Sequence, residues 1–425
     1  MTFRRLTALA ALAALALLLA GCGGGTDRTK AQLRLVDAST GYTALDLVVH
    51  GQVRQGGVAY AADPGYVAVD PGNADTTINS AGSPTALLSF TPALSKNRHY
   101  TLLAWGNAGA LNQVLLDEDV AAPAAGKALL RIVNGAPDAG SLDVYLTGSG
   151  DALSASVPLL GGATATPSAW LTVDSSSSRL RVTAAGSKTD LRLDLSGLTL
   201  ASQQVATLVL TPGRGGVLVN ALLVTQQGGV TRLDNTQARV RVAAGASAGG
   251  AVSASLGGVP LISGVGSPAV GLYGLVAAGS ESAALAVNGV SVPVTTLTLA
   301  AGADYTLLVY GPPSAPQASL IEDDNRLPTD STQAKVRLVN GLADLGTPLA
   351  LTVDFVPVAD GVAAGTASSY GSVPPSTTAS LSVTAAGLAA PVVSAGTQTF
   401  VAGANYTVFA VGSAASAVGV LRRDR

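Results

Sequence analysis

The sequence predicts an all-β protein, a tandem array of β-sandwich modules behind an export leader. Three observations lead there. Runs of Val, Leu, Thr and Ile five to eight residues long are punctuated by Gly-Ser, Gly-Gly, Pro-Gly and Asn-Gly pairs, and no stretch after residue 30 sustains a helical period. The chain also repeats itself at a domain-sized interval. Hydrophobic residues make up 48% and charged residues 12%, which suits packed β layers and excludes a disordered chain.

The leader comes first. Arg4 and Arg5 form a basic n-region and Leu6 to Ala20 is an uncharged Ala/Leu run, too short for a membrane anchor and of the length of a signal-peptide h-region. Leu19-Ala20-Gly21-Cys22 follows, and this tetrad resembles the lipobox of bacterial lipoproteins. That resemblance implies cleavage after residue 21, a lipid on Cys22 and a tether over 22–30. Cys22 is the one cysteine of the 425 residues, so no disulfide within the chain and no cysteine metal site is available. Because Gly23 rather than an aspartate follows Cys22, the expected location is the outer membrane. After residue 22 no apolar run is long enough for a membrane helix without Gly, Pro or Ser interrupting it.

The repeats set the domain count. LRLVDAST from Leu33, LRIVNGAPDAG from Leu130, VRVAAGASAGG from Val240 and VRLVNGLADLG from Val336 align on Arg34, Arg131, Arg241 and Arg337, spaced 97, 110 and 96 residues apart. A second landmark closes each unit: HYTLLAWG to Gly106, ATLVLTPG to Gly213, DYTLLVYG to Gly311 and NYTVFAVG to Gly412. Four modules follow, over 31–126, 127–236, 237–333 and 334–425, joined by polar connectors expected to be open to proteases. Within them LDVYL at 142–146 alternates Leu142, Val144 and Leu146 with Asp143 and Tyr145, the pattern of a half-buried strand. About 100 residues with many short strands is the size of a β-sandwich.

Two resemblances refine this. LAAGADYTLLV at 299–309 and VAGANYTVFAV at 401–411 resemble the tyrosine corner of immunoglobulin-like and fibronectin-III-like domains, in which the hydroxyl bonds back to nearby backbone. Tyr100, Tyr305 and Tyr406 hold that position, whereas repeat two has Ala206 and must secure its corner in another way. RIVNGAPDAGSLDVYLTG at 131–148 is similar to the opening signature of domain of unknown function 4397, a family of bacterial secreted and surface modules. Repeats one and four match it in part and repeat three is degenerate. The resemblance implies a sandwich-like module and brings no activity with it.

Gly-Ala-Ser-Ala-Gly at 245–249 fits the G-x-S-x-G of a nucleophile elbow, yet it aligns with Gly135 to Ala139 of repeat two, where Pro137 replaces Ser247; it reads as the turn after a first strand. The chain offers only His50 and His99 as bases, both in repeat one. Asp117-Glu118-Asp119 and Glu322-Asp323-Asp324 place oxygen ligands at module ends, but without calcium-loop spacing they read as solvated connectors. No metal or other cofactor is therefore expected. Trp105, inside a strand, is expected in the core, and Trp170 is either core or an exposed platform.

With a formal net charge of −2 and no basic cluster, a nucleic-acid partner is not expected. The expectation is a non-enzymatic envelope lipoprotein whose modules form a binding, adhesive or spacer array, with a membrane contact through its lipid and a protein or glycan partner at the surface. An envelope hydrolase with a site in one divergent module is the alternative. Modules three and four, farthest from the lipid, are the expected recognition surface, with Tyr370 in SSYGSVPP as a loop residue suited to it.

Overall fold

A computed structural model describes residues 27–425, so Cys22, the lipobox and most of the tether lie outside the described residues. The described chain is β throughout, broken by three single-turn 3-10 helices. Each repeat folds into two main sheets, and the first adds a two-stranded pair of Gly72–Asn73 with Ala93–Leu94. In the second, a lead strand, Lys127–Asn134, lies beside a corner strand, Val205–Pro212, which pairs with a closing strand, Val219–Thr225. The other sheet of that module orders Leu160–Ala163, Leu142–Thr147, Ser177–Ala184 and Leu191–Thr199. The sandwich and its corners are those of immunoglobulin-like domains, but the strands are divided differently. Here lead and corner strands run parallel, Arg131 opposite Thr207, and the second sheet is threaded between them, supplying the long crossover that a parallel pair needs.

The other modules repeat this plan. Their lead strands are Ala31–Asp37, Gln237–Ala246 and Ala334–Gly341; their corner strands are His99–Asn107, Asp304–Gly311 and Asn405–Ser413. Second-sheet strands alternate as their sequences do: in Ser376–Ala385, Ala379, Leu381, Val383 and Ala385 face the core while Ser380, Ser382 and Thr384 do not. First sheets differ, since Val205–Pro212 and Asp304–Gly311 are buried at every position. LDVYL departs from the half-buried expectation for a related reason. Asp143 and Tyr145 are buried as well, and Asp143 accepts the backbone N–H groups of Gly162 (2.8 Å) and Gly186 (2.9 Å). Asp46 does the same for Gly57 and Gly82 in the first module, so this aspartate staples two hairpin turns.

The tyrosine corners form as expected. Tyr100, Tyr305 and Tyr406 each accept the N–H of the residue five positions earlier, Ser95 at 3.2 Å, Ala300 at 3.0 Å and Val401 at 3.0 Å. Module two solves the missing hydroxyl with an amide. Gln204 Oε1 accepts the equivalent N–H, that of Ala201, at 2.7 Å.

By their contacts the residues form two compact units: one of residues up to 37 with 43–104 and 112–120, the other of 38–42, 105–111 and 121–425. In the larger unit each module has its own apolar core, and a further buried cluster joins modules three and four: Ala243, Val270, Leu308 and Tyr310 from one, Val339, Phe409 and Val411 from the other. Glycine permits this approach. A Cβ on Gly245 would lie 2.8 Å, and one on Gly341 2.9 Å, from Val411 Cγ1.

Single asparagines at the later connectors are built into the unit, while residues 326–333 are exposed for the most part. Asn235 is buried, donating to the carbonyls of Arg192 (2.8 Å) and Val219 (3.0 Å). Asn325 is fully buried, its N–H on the Gly215 carbonyl (3.0 Å) and its side chain on Asp304 (2.8 Å). The connector at 121–126 is likewise exposed nearly throughout.

Candidate functional site

The four aligned arginines form the most elaborate polar feature among the described residues. An arginine inside a lead strand points its long side chain along the sheet, where the neighbouring corner strand places a threonine directly opposite. Nε donates to that Thr Oγ1 in every module: Arg34 to Thr101 at 2.8 Å, Arg131 to Thr207 at 3.2 Å, Arg241 to Thr306 at 2.9 Å and Arg337 to Thr407 at 3.1 Å. Each guanidinium also lies on an aromatic ring, Tyr66, Trp170, Tyr273 or Tyr370, at 4.4 to 5.0 Å from the ring centre. All four arginines are at least nine-tenths buried. A charge so placed needs partners, because its desolvation costs several kcal/mol in general.

Those partners come from the end of the closing strand. Glu118, Asp323 and Asp424 occupy one position in modules one, three and four, and Gln226 occupies it in module two. Arg34 reaches Glu118 at 3.4 Å. In modules three and four the pairing is exchanged. Asp323 accepts its own module's Thr306 hydroxyl at 2.7 Å but is gripped by Arg337 of module four; Asp424 accepts its own Thr407 hydroxyl at 2.5 Å but is gripped by Arg241 of module three. Tyr273 adds a hydroxyl to Asp323 at 2.6 Å. Two cations and two anions thus cross-lock the modules beside the Phe409 and Val411 cluster.

The electrostatics follow from this arrangement. Burial presses the Asp323 carboxyl toward its neutral form, and Arg337 with Arg241 outweighs it, holding the group below the usual carboxylate range. Burial would ease the proton off Arg241 and Arg337, but the facing carboxylates and tyrosines raise both. Burial pushes the Tyr273 and Tyr370 phenols up, so both are neutral, and Tyr273 is a donor. Asp304, with Oδ1 making no hydrogen bond and only Arg239 (3.4 Å) and Asn325 at Oδ2, is pushed up by burial to about 6.

The structure places the other candidates as follows. Ser247 sits in the single turn Ser247–Gly249 that follows a lead strand, as aligned, and its hydroxyl meets only the Gly311 carbonyl at 3.5 Å. His99 Nδ1 lies 3.0 Å from Asp119, with Tyr66 edge-on; His50 stands at a hairpin tip with positive φ. In the acidic triplets the middle residues, Glu118 and Asp323, are buried, while the flanking acids are partly exposed and paired. Arg98 pairs with Asp117 and Asp119, Arg214 with Glu322, and Arg326 and Lys335 with Asp324. Among the described residues no group of three or more His, Cys, Asp or Glu is gathered for a metal ion. Trp105 is buried, and the ring of Trp170 is covered by Arg131 at 4.4 Å. Tyr370 is not a free recognition residue: Arg337 and Lys335 stack on it and its hydroxyl is buried.

The signature residues around each arginine have structural tasks too. Asn134 and Asn340 fold the turn after the lead strand, accepting the N–H two residues on and donating across it. Asp138 accepts the N–H of Leu327 at 3.0 Å, tying module two to the last connector. This is a tandem β-sandwich protein defined by a buried arginine, threonine and aromatic group in every repeat. Residues 31–145 and 238–347, together more than half of the chain, match the family described as Domain of unknown function (DUF4397), and the chain belongs to that family. Each match runs past its module through the lead strand of the next, the strand bearing Arg131 or Arg337. No curated protein matches the chain.

Proposed function

We propose that the chain is a non-enzymatic envelope protein, lipidated at Cys22 and held at the outer membrane, whose modules two to four act as one rigid binding head. The observation that carries this reading is the exchanged pairing of Arg241 with Asp424 and Arg337 with Asp323, which locks modules three and four. Module two joins them through Asp138 on the Leu327 N–H and the Gly215 carbonyl on the Asn325 N–H. Flexible spacer modules have no use for a buried, charge-balanced lock between neighbours, whereas a surface assembled from several modules needs fixed geometry. The acidic residues at the module ends support the same reading, because they hold arginines. Ser247 has a backbone carbonyl as its hydrogen-bond partner in place of a base.

The test has two arms. Fatty-acid labelling and membrane fractionation should find the protein in the outer membrane and the Cys22→Ser protein released; retention of the variant refutes the anchor. A broad hydrolase screen on the mature chain should find no turnover that Ser247→Ala abolishes, and such turnover would overturn the non-enzymatic reading.

A further inference from the structure

A cleft of about 580 Å³ opens where modules two, three and four meet, within the roughly 300 to 1,000 Å³ of ligand pockets in general. Arg239, Arg422 and Arg423 stand in its wall with many donors still to place. Arg239 lies on the Tyr273 ring at 4.4 Å and reaches Asp304 only at 3.4 Å. Arg422 donates to the Val270 carbonyl and Arg423 to the backbone oxygen of Arg425, the last residue of the sequence; neither pairs with an aspartate or glutamate side chain among the described residues. The two carboxylates that line the cleft are already held. Asp424 lies between Arg241 and Thr407, and Asp190 accepts from Arg192 at 2.7 Å. The cleft therefore carries surplus positive charge. In its lining Leu272 is 88% exposed, and Leu275 and Leu421 add apolar surface.

We infer that this cleft binds an acidic peptide segment, its carboxylates on Arg239, Arg422 and Arg423 and an apolar side chain on Leu272. Guanidinium forks match carboxylates in two-point geometry, and an exposed leucine beside them adds what a simple anion cannot use. An acidic sugar fits less well, because the aromatic ring of the cleft, Tyr273, is covered by Arg239 and Arg241 and offers no free face for stacking. The inference gives the binding head of the preceding section its ligand class and rests on that reading. Its test is independent of the membrane.

A fluorescent peptide of about eight alternating glutamate and leucine residues is titrated into the mature chain at low salt, against a lysine and leucine peptide, oligogalacturonate and inorganic sulfate. Saturable binding is expected for the acidic peptide, weakening by about tenfold or more in Arg423→Glu and by several-fold in Leu272→Ser. Both positions are exposed, so unchanged melting temperatures verify that the variants are folded. Absence of saturable binding, or affinity unmoved by Arg423→Glu, overturns the proposal. Equal affinity for sulfate or oligogalacturonate together with an inert Leu272→Ser also overturns it, leaving a general anion site. Any of these outcomes leaves the lipid anchor and its fractionation test untouched.

Discussion

Removing Asp323 should loosen the larger unit out of proportion to one side chain. Asp323 is fully buried and takes donors from Arg337, Thr306 and Tyr273, with Arg241 at 3.7 Å. In Asp323→Ala two buried guanidiniums face the single carboxylate of Asp424, and stranding one partner of a buried pair costs about 3–5 kcal/mol. At about 2 cal/mol/K per residue over roughly 300 residues, a loss of about 4 kcal/mol lowers the melting temperature by about 6 °C. Arg337→Met should cost slightly less, since Arg241 still faces Asp323. The double variant Asp323→Ala with Arg337→Met leaves Arg241 and Asp424 as a balanced pair and should recover about 2 kcal/mol or more relative to the sum of the singles. Circular-dichroism melts of the four proteins measure this cycle. Single variants that melt within about 1 °C of the parent, or a double variant whose loss equals the sum, would refute the exchanged lock.

Asp304 should make stability fall with rising pH. Its folded pKa of about 6 exceeds the ordinary 3.8, so the folded chain binds more protons between those values and this group's contribution declines as pH rises through that window. Asp304→Asn should therefore stabilise the protein at pH 8, on the order of 1–3 kcal/mol, and do little at pH 4; melts at both values check it, and equal shifts contradict it. Gly341→Val places a side chain against Val411, Ala410 and Leu308, and should cost about 1–3 kcal/mol by urea denaturation. Gln204→Ala frees the Ala201 N–H and should cost about 1 kcal/mol, whereas Gln203→Ala, beside it on an exposed turn, should be nearly neutral.

The architecture was legible because period-two alternation and turn residues are local signals, and because the repeat multiplies them. Tyrosine at 100, 305 and 406 announced three corners, and its absence at 206 announced that a substitute was needed without naming Gln204. The arginine group was present in the sequence as a pattern that went unread. A threonine follows the corner position in all four repeats, and an acid stands 17 residues after it in three of them, at Glu118, Asp323 and Asp424. What hid it is that strand pairing, not sequence proximity, brings Arg241 to Thr306, and that the acid serves the neighbouring module. The same distance effect governs Tyr370 and Asn325. Proline-flanked or polar segments look exposed locally, and only tertiary packing decides that Arg337 covers one and module two covers the other.

Differential scanning calorimetry of the mature chain tests most directly whether modules two to four form one body. At about 0.7 kcal/mol per residue, the account predicts two transitions, one near 70 kcal/mol for the first module and one near 200 kcal/mol for the rest, the latter with matching van't Hoff and calorimetric enthalpies. Four transitions of about 70 kcal/mol each, or one broad envelope resolving into three independent units after residue 121, would contradict it.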